Sequence, residues 1–87
     1  MKDTFFYFVH SADDQFSKLR GDSECGKVVH SYRDDLKSNK ERCMKTSNCI
    51  GVCIVGCDEK NKEIDLCKAG HGFRISRRGS CVYEKKG

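Results

Sequence analysis

Apolar positions along this chain come in short blocks whose spacing changes from one block to the next, and each change predicts a different element. In "TFFYFVHS" (residues 4–11) Phe5, Tyr7 and Val9 alternate with Phe6, Phe8 and His10. A block that is aromatic and apolar on both faces predicts a central, buried strand. "SADDQFSKLRGDSEC" (residues 11–25) is polar and rich in turn formers, and predicts a loop. Gly26 then introduces "KVVHSY" (residues 27–32), a short second strand. From Ser31 the spacing lengthens to that of a helix. Tyr32, Leu36 and Cys43 fall on roughly one face, and Arg33, Lys37, Lys40, Arg42 and Lys45 surround the rest, which predicts an amphipathic helix with a thin apolar stripe. Ser31 with Asp34, and Ser38 with Glu41, both fit a capping box, so two starts compete, and the end falls near residues 46–48. "CIGVCIVGC" (residues 49–57) is strand-like, "DEKNKE" (residues 58–63) is a hairpin loop of turn formers, and "IDLCKA" (residues 64–69) is the returning strand. "GHGFRISRRGS" (residues 70–80) is a glycine-broken loop with a short strand piece, and "SCVYEKK" (residues 80–86) is a last strand. The order predicts an α+β domain, with one helix covering one face of an antiparallel sheet of about five strands.

Length and composition narrow this further. At 87 residues the chain is a single domain over residues 1–87, and with 37% hydrophobic residues, 34% charged residues and no Trp or Pro its core must be small. Chains of this size often need covalent staples. The net charge of +4 is spread among residues of both signs, as in "DEKNKEID", which describes a solvated surface better than a nucleic-acid footprint. No apolar run is long enough to span a bilayer, and membrane insertion is not expected. The run from Phe5 to Val9 follows Asp3 and precedes no small-residue cleavage site, so it does not read as a signal peptide. If the cysteines are disulfide-bonded, Met1 reads instead as the start of a module excised from a larger secreted protein.

The cysteines carry the chemistry. There are seven, four of them inside "CMKTSNCIGVCIVGC" (residues 43–57). Three chemistries fit cysteines in general. Cys53-x3-Cys57 and Cys67-x3-His71 resemble two halves of a Cys3His zinc site, but Cys53 and Cys57 lie in an apolar, strand-like run, and other cysteines would be left over. Redox catalysis usually uses a Cys-x-x-Cys pair or a thiolate at a helix N-terminus. The chain has no such pair, and Cys43 sits in the second half of its helix, where the dipole disfavours a thiolate. A disulfide framework in an oxidising compartment fits best, because it supplies what a small core lacks. An odd count leaves one thiol free or paired outside the module.

"SNKERCMKTSNCIGV", "DLCK" (residues 65–68) and "CVYEK" (residues 81–85) together resemble a PAN/apple module, over roughly residues 27–86. The family pattern is a helix ending in a cysteine, five residues, a second cysteine and a glycine-containing strand. A further Leu–Cys strand and a closing strand ending in Tyr-x-Lys follow. The resemblance implies a single helix on an antiparallel sheet and a Cys43–Cys49 bond. It also implies a bond from the terminal region, for which Cys25 with Cys81 is the candidate. Asn39 departs from the pattern, since family members usually carry a cysteine there whose strand partner corresponds to Cys67. Cys67 must therefore pair elsewhere. A hairpin centred on Lys60 puts Cys53 opposite it and leaves Cys57 as the free thiol, although Cys57 fits in place of Cys53 nearly as well.

Modules of this kind are binding units, not enzymes, and need no cofactor. The resemblance implies a secreted adhesion or recognition module that meets a cell-surface protein or glycan, sits beside neighbouring modules of its parent, and is similar in kind to the tandem arrays of parasite microneme adhesins. Within the sequence the densest basic stretch is "FRISRRG": Arg74, Arg77 and Arg78, with Lys85 and Lys86 near in sequence. Arginine forks suit sulfate and carboxylate groups, so these residues are the candidate ligand site, with sulfated polysaccharide among the ligands. His10, His30 and His71 sit in separate elements with no nucleophile pattern beside them, and "GHGF" lacks the strand-to-helix context and the Lys of a phosphate loop. Two other readings stay open at this stage. One is a zinc module contacting RNA phosphates through the same basic residues, with Phe73 as its one aromatic in the loop. The other is a structural spacer within a tandem array.

Overall fold

The structure, a computed structural model, describes residues 15–18, 21–58, 60 and 63–86. Within them the chain runs β1 (Phe16–Lys18), β2 (Ser23–Cys25), β3 (Val28–Arg33), α1 (Leu36–Lys45), β4 (Cys49–Ile54), a 3-10 turn (Val55–Cys57), β5 (Glu63–Lys68), β6 (Phe73–Ile75) and β7 (Cys81–Lys85). Five of the strands form an antiparallel sheet in the order β1-β7-β4-β5-β3, and β2 pairs with β6 in a separate two-stranded ribbon. The expected α+β architecture, one helix on an antiparallel sheet, is the observed one. The aromatic block at residues 4–11 lies outside the described residues.

Both faces of the sheet are covered. On the helix side Phe16, Cys43, Cys49, Val52, Ile54, Ile64, Leu66 and Cys81 form one buried cluster. On the other side Cys25, Cys53, Cys67 and Val82 form a second, with Ile50 and Phe73 packed against it. The ribbon supplies Cys25 and Phe73 to this second layer. A strand buried on both faces needs apolar residues at every position, which is why residues 49–54 read as one unbroken apolar run.

The helix starts between the two competing capping boxes. Asp35 is the N-cap, and its Oδ1 accepts from the Ser38 amide at 2.7 Å. Tyr32 is therefore a β3 residue and not part of the helix. It still meets the helix, because the Arg42 guanidinium stacks 4.4 Å from its ring while pairing with Asp34 at 3.0 Å. Asn39 is fully buried. Its Nδ2 donates to the Asp35 carbonyl at 2.9 Å and its Oδ1 accepts from Arg42, so a satisfied amide fills the place where the family pattern has a cysteine.

The segment expected to be a loop, residues 11–25, instead holds β1 and β2. A single buried apolar residue, Phe16, carries β1, and one residue has no period to read. What holds β1 is its backbone register on β7, Phe16 opposite Lys85 and Lys18 opposite Tyr83.

Three disulfides staple these layers, and two of the expected pairings change. Cys43 is bonded to Cys49, the pair that the resemblance implies. Cys25 is bonded to Cys67 and not to Cys81, whose partner is Cys57. The free thiol is Cys53 and not Cys57, so a Cys53–Cys67 bond does not form. The cause is register. The hairpin places Gly51 opposite Cys67, and Cys53 opposite Asp65, so Cys53 and Cys67 are not partners across the ladder. The strand ends at Ile54, and the 3-10 turn carries Gly56 at φ 76° and Cys57 at φ 57°, which swings Cys57 off the strand. Cys57 then packs against the helix-side cluster and bonds Cys81, the residue opposite Ile54 on β7. Cys67 points to the other face, where β2 brings Cys25.

Cys53 is fully buried between the sheet and the ribbon, and burial pushes its thiol above the ordinary cysteine value. The native protein is expected to resist iodoacetamide at Cys53. After unfolding without reductant it should gain one alkyl group, and after reduction seven. Intact mass followed by peptide mapping checks this, and label found on Cys57 in the non-reduced sample would contradict the pairing.

Candidate functional site

The ribbon and the loop that follows it carry the three arginines singled out in the sequence. In the β2–β6 register Glu24 lies opposite Arg74. Arg74 Nε donates to Glu24 Oε2 at 2.7 Å, and Arg78 Nη2 reaches Oε1 at 3.5 Å. The Glu24 side chain is only 11% exposed while those of Arg74 and Arg78 are 66% and 52% exposed, so the two guanidiniums roof the carboxylate and face water themselves. The hydrogen bond from Arg74 holds the Glu24 carboxyl below the ordinary value of 4.5. Burial opposes this, and the Ser76 hydroxyl and the charges of Arg74 and Arg78 reinforce it. A carboxyl with a depressed folded pKa adds stability that is whole above pH 4.5 and is lost as pH falls through the folded value. The arginine roof is thus pinned at neutral pH and released only in acid.

The loop after β6 is folded by one buried serine. Ser76 donates its amide to the Asp22 carbonyl at 2.7 Å, and its hydroxyl accepts from the amides of Arg78 and Ser80, both at 3.1 Å. This turn presents Arg77 outward, and among the described residues Arg77 has no ion-pair partner. Glu24, Arg74, Ile75, Arg77 and Arg78 line a shallow cleft of about 610 Å³. A second groove, of about 690 Å³, lies along Gly21, Asp22 and Ser23 and shares Ile75 as its wall. Ile75 stands between them 84% exposed, in contrast to the buried isoleucines of the sheet.

Lys85 is not part of this cluster. It lies at the opposite end of β7 from Cys81, and its Nζ donates to the carbonyls of Cys43 at 2.9 Å, Cys49 at 3.4 Å and Thr46 at 3.5 Å. A cation there gathers carbonyls from the helix C-terminus and the start of β4, where the helix dipole favours positive charge, which is a structural task. Lys86 sits at the same end, its amide bonded to the Gln15 carbonyl at 2.7 Å.

The other chemistries considered are not assembled. Cys57 and Cys67 are each spent in a disulfide and belong to opposite faces of the sheet. Among the described residues no group of three or more His, Cys, Asp or Glu side chains is placed to hold a metal ion. His30 packs on Tyr32 with ring centroids 4.5 Å apart, and His71 lies exposed in the turn before β6.

Sequence reasoning missed Glu24 and Ile75. Glu24 is 50 residues from Arg74 and 54 from Arg78, and no local pattern links them. Ile75 did leave a signal, an isolated apolar residue within "FRISRRG".

The fold and this site define a small disulfide-stapled α+β domain with a basic, solvent-facing ribbon. Compared with family models, curated proteins and solved structures, the chain matches none of them. Its three disulfides are consistent with an extracellular protein. Among the described residues, no helix is long and apolar enough to cross a membrane.

Proposed function

We propose that this protein is an extracellular recognition module of the PAN/apple kind, a binding unit without catalytic activity that holds an anionic group of a cell-surface protein or glycan on its ribbon. The observation that carries this reading is a cleft lined by three guanidiniums, two of them paired with one carboxylate. Glu24 is shared by Arg74 and Arg78, and Arg77 is left to bind. Such forks meet sulfate and carboxylate groups with paired, charge-assisted hydrogen bonds. The family part of the reading is supported by the helix end stapled through Cys43–Cys49 and by the closing strand "CVYEK". It departs at Asn39 and Cys67, which lie on opposite sides of the sheet. Release from a parasite microneme, and service beside neighbouring modules, rest on the resemblance alone.

Heparin serves as the probe for anion capture. The double variant Arg77→Ala, Arg78→Ala is expected to elute from a heparin column at lower salt than the parent protein. Glu24→Gln, which keeps the side-chain shape and frees the roofing arginines, is expected to elute at higher salt. Elution salt unchanged in both variants would remove the ribbon as an anion site.

A further inference from the structure

The geometry points to a strand-addition site: the outer edge of β6 takes an extended, acidic segment of a partner protein, with Ile75 as its apolar contact and the surrounding arginines as its charge partners. This rests on the recognition reading above and names the form in which the anionic groups arrive.

The backbone supplies the template. In an antiparallel pair, hydrogen-bonded and non-bonded positions alternate. Here the Gly26 amide donates to the Gly72 carbonyl at 2.9 Å and the Ser76 amide to the Asp22 carbonyl at 2.7 Å, with Glu24 opposite Arg74 between them. Gly72, Arg74 and Ser76 therefore face β2, and the N–H and C=O groups of Phe73 and Ile75 face away from it. Among the described residues nothing bonds to those groups. The far side of β2, by contrast, is in use, since the Ser23 amide donates to the Ser80 carbonyl at 2.9 Å. An exposed strand edge of this sort is what an added peptide strand pairs with.

The side chains say which peptide. Successive residues of a strand point to opposite faces, so an added strand that sets one residue beside Arg74 sets its two neighbours beside Phe73 and Ile75, toward the other face. The residue over Arg74 is favoured as acidic, and so is the one two positions on, toward Arg77 and Arg78. The residue over Ile75 is favoured as apolar, because Ile75 is 84% exposed and gains by being covered. Arg74 and Arg78 share the single carboxylate of Glu24 and Arg77 has no ion-pair partner among the described residues, which leaves this edge net positive and complementary to acidic side chains. A glycan would answer the arginines, but it has neither the backbone groups that match the β6 edge nor an apolar side chain for Ile75.

The full chain is titrated with a fluorescein-labelled acetyl-Glu-Val-Glu-Val-Glu-amide peptide, read by anisotropy and by backbone-amide NMR shifts. A second peptide is N-methylated at the amides that face β6. The expected result is that the first peptide shifts the amides of Phe73 and Ile75. N-methylation should weaken binding by about tenfold or more, the loss expected for two backbone hydrogen bonds. Ile75→Ala should weaken the peptide by several-fold, a larger loss than any fall in heparin elution salt it causes. Equal binding of both peptides, or no shift at Phe73 and Ile75, would overturn the inference. So would a concentration-dependent dimer in sedimentation that Ile75→Ala abolishes, because the occupant would then be a second copy of this chain. If the Arg77→Ala, Arg78→Ala protein and the Glu24→Gln protein both elute from heparin unchanged, the recognition reading fails. If heparin responds and the peptide does not discriminate, only strand addition fails.

Discussion

Replacing Cys25 and Cys67 together by alanine is expected to lower the free energy of unfolding by about 4 kcal/mol, the largest loss from removing any one disulfide. In the chain-entropy account a crosslink stabilises by restricting the unfolded chain, and more so for a longer closed loop. The Cys25–Cys67 bond spans 42 residues, against 24 for Cys57–Cys81 and 6 for Cys43–Cys49. The same relation gives about 3.5 kcal/mol for the second bond and about 2 kcal/mol for the third. Urea unfolding of the three double-alanine proteins tests the ranking, and a larger loss for the Cys57, Cys81 pair would contradict it. This bond also has a local consequence that the others lack. Cys25 ties β2 covalently to the sheet, and Cys53 lies in the same cluster. Without the bond the ribbon loosens, so Cys53 should become reactive to iodoacetamide under native conditions and heparin retention should fall. The Cys43, Cys49 double variant should leave both properties unchanged.

Gly26→Ala is expected to cost about 3 kcal/mol, near the upper end for forcing an extra carbon into a packed site. A Cβ at this position would overlap the His71 carbonyl oxygen and stand 2.9 Å from that of Gly72. Both obstacles are backbone, so no side chain can rotate aside, and the turn before β6 must move. That movement also strains the Gly26 amide bond to Gly72, which closes one end of the ribbon. For a domain of this length the cost corresponds to a fall in Tm of roughly 15 °C, measurable by calorimetry. Gly21→Ala is the control. Nothing lies within 4 Å of its Cβ, and its Tm should stay close to that of the parent. Similar Tm values for the two variants would show that the ribbon end yields more easily than its packing implies.

Much of the element order was legible because it depends on neighbours in sequence. The apolar run at residues 49–57, the turn formers after it, and the helix-period stripe with Cys43 all mark elements observed within a few residues of their expected places. The helix start was legible only as two alternatives, since Asp35 as N-cap is decided by where β3 lets go of the sheet and not by the capping residues alone. At the candidate site, the arginines of "FRISRRG" were visible as charge density. Their grouping around Glu24 was not, because it comes from the pairing of β2 with β6. Lys85 was misread for the converse reason. Adjacency in sequence to a basic stretch says nothing about which end of a strand a side chain serves.

The cysteines show the same division. Their number, their clustering and the shortage of core material were enough to imply a disulfide-stapled α+β domain, since those are properties of composition and local period. The Cys43–Cys49 bond, from a helix end to the strand that follows 6 residues on, is the pairing implied by the family resemblance that the structure contains. The two long bonds and the identity of the free thiol were not legible from sequence. They depend on strand register and on which face of the sheet a side chain occupies. A shift of two residues, produced here by a turn at Val55–Cys57, exchanges one partner for another without changing any local pattern. Register is set by packing across the whole sheet, with the helix on one side and the ribbon on the other, and it comes into being only when those layers close.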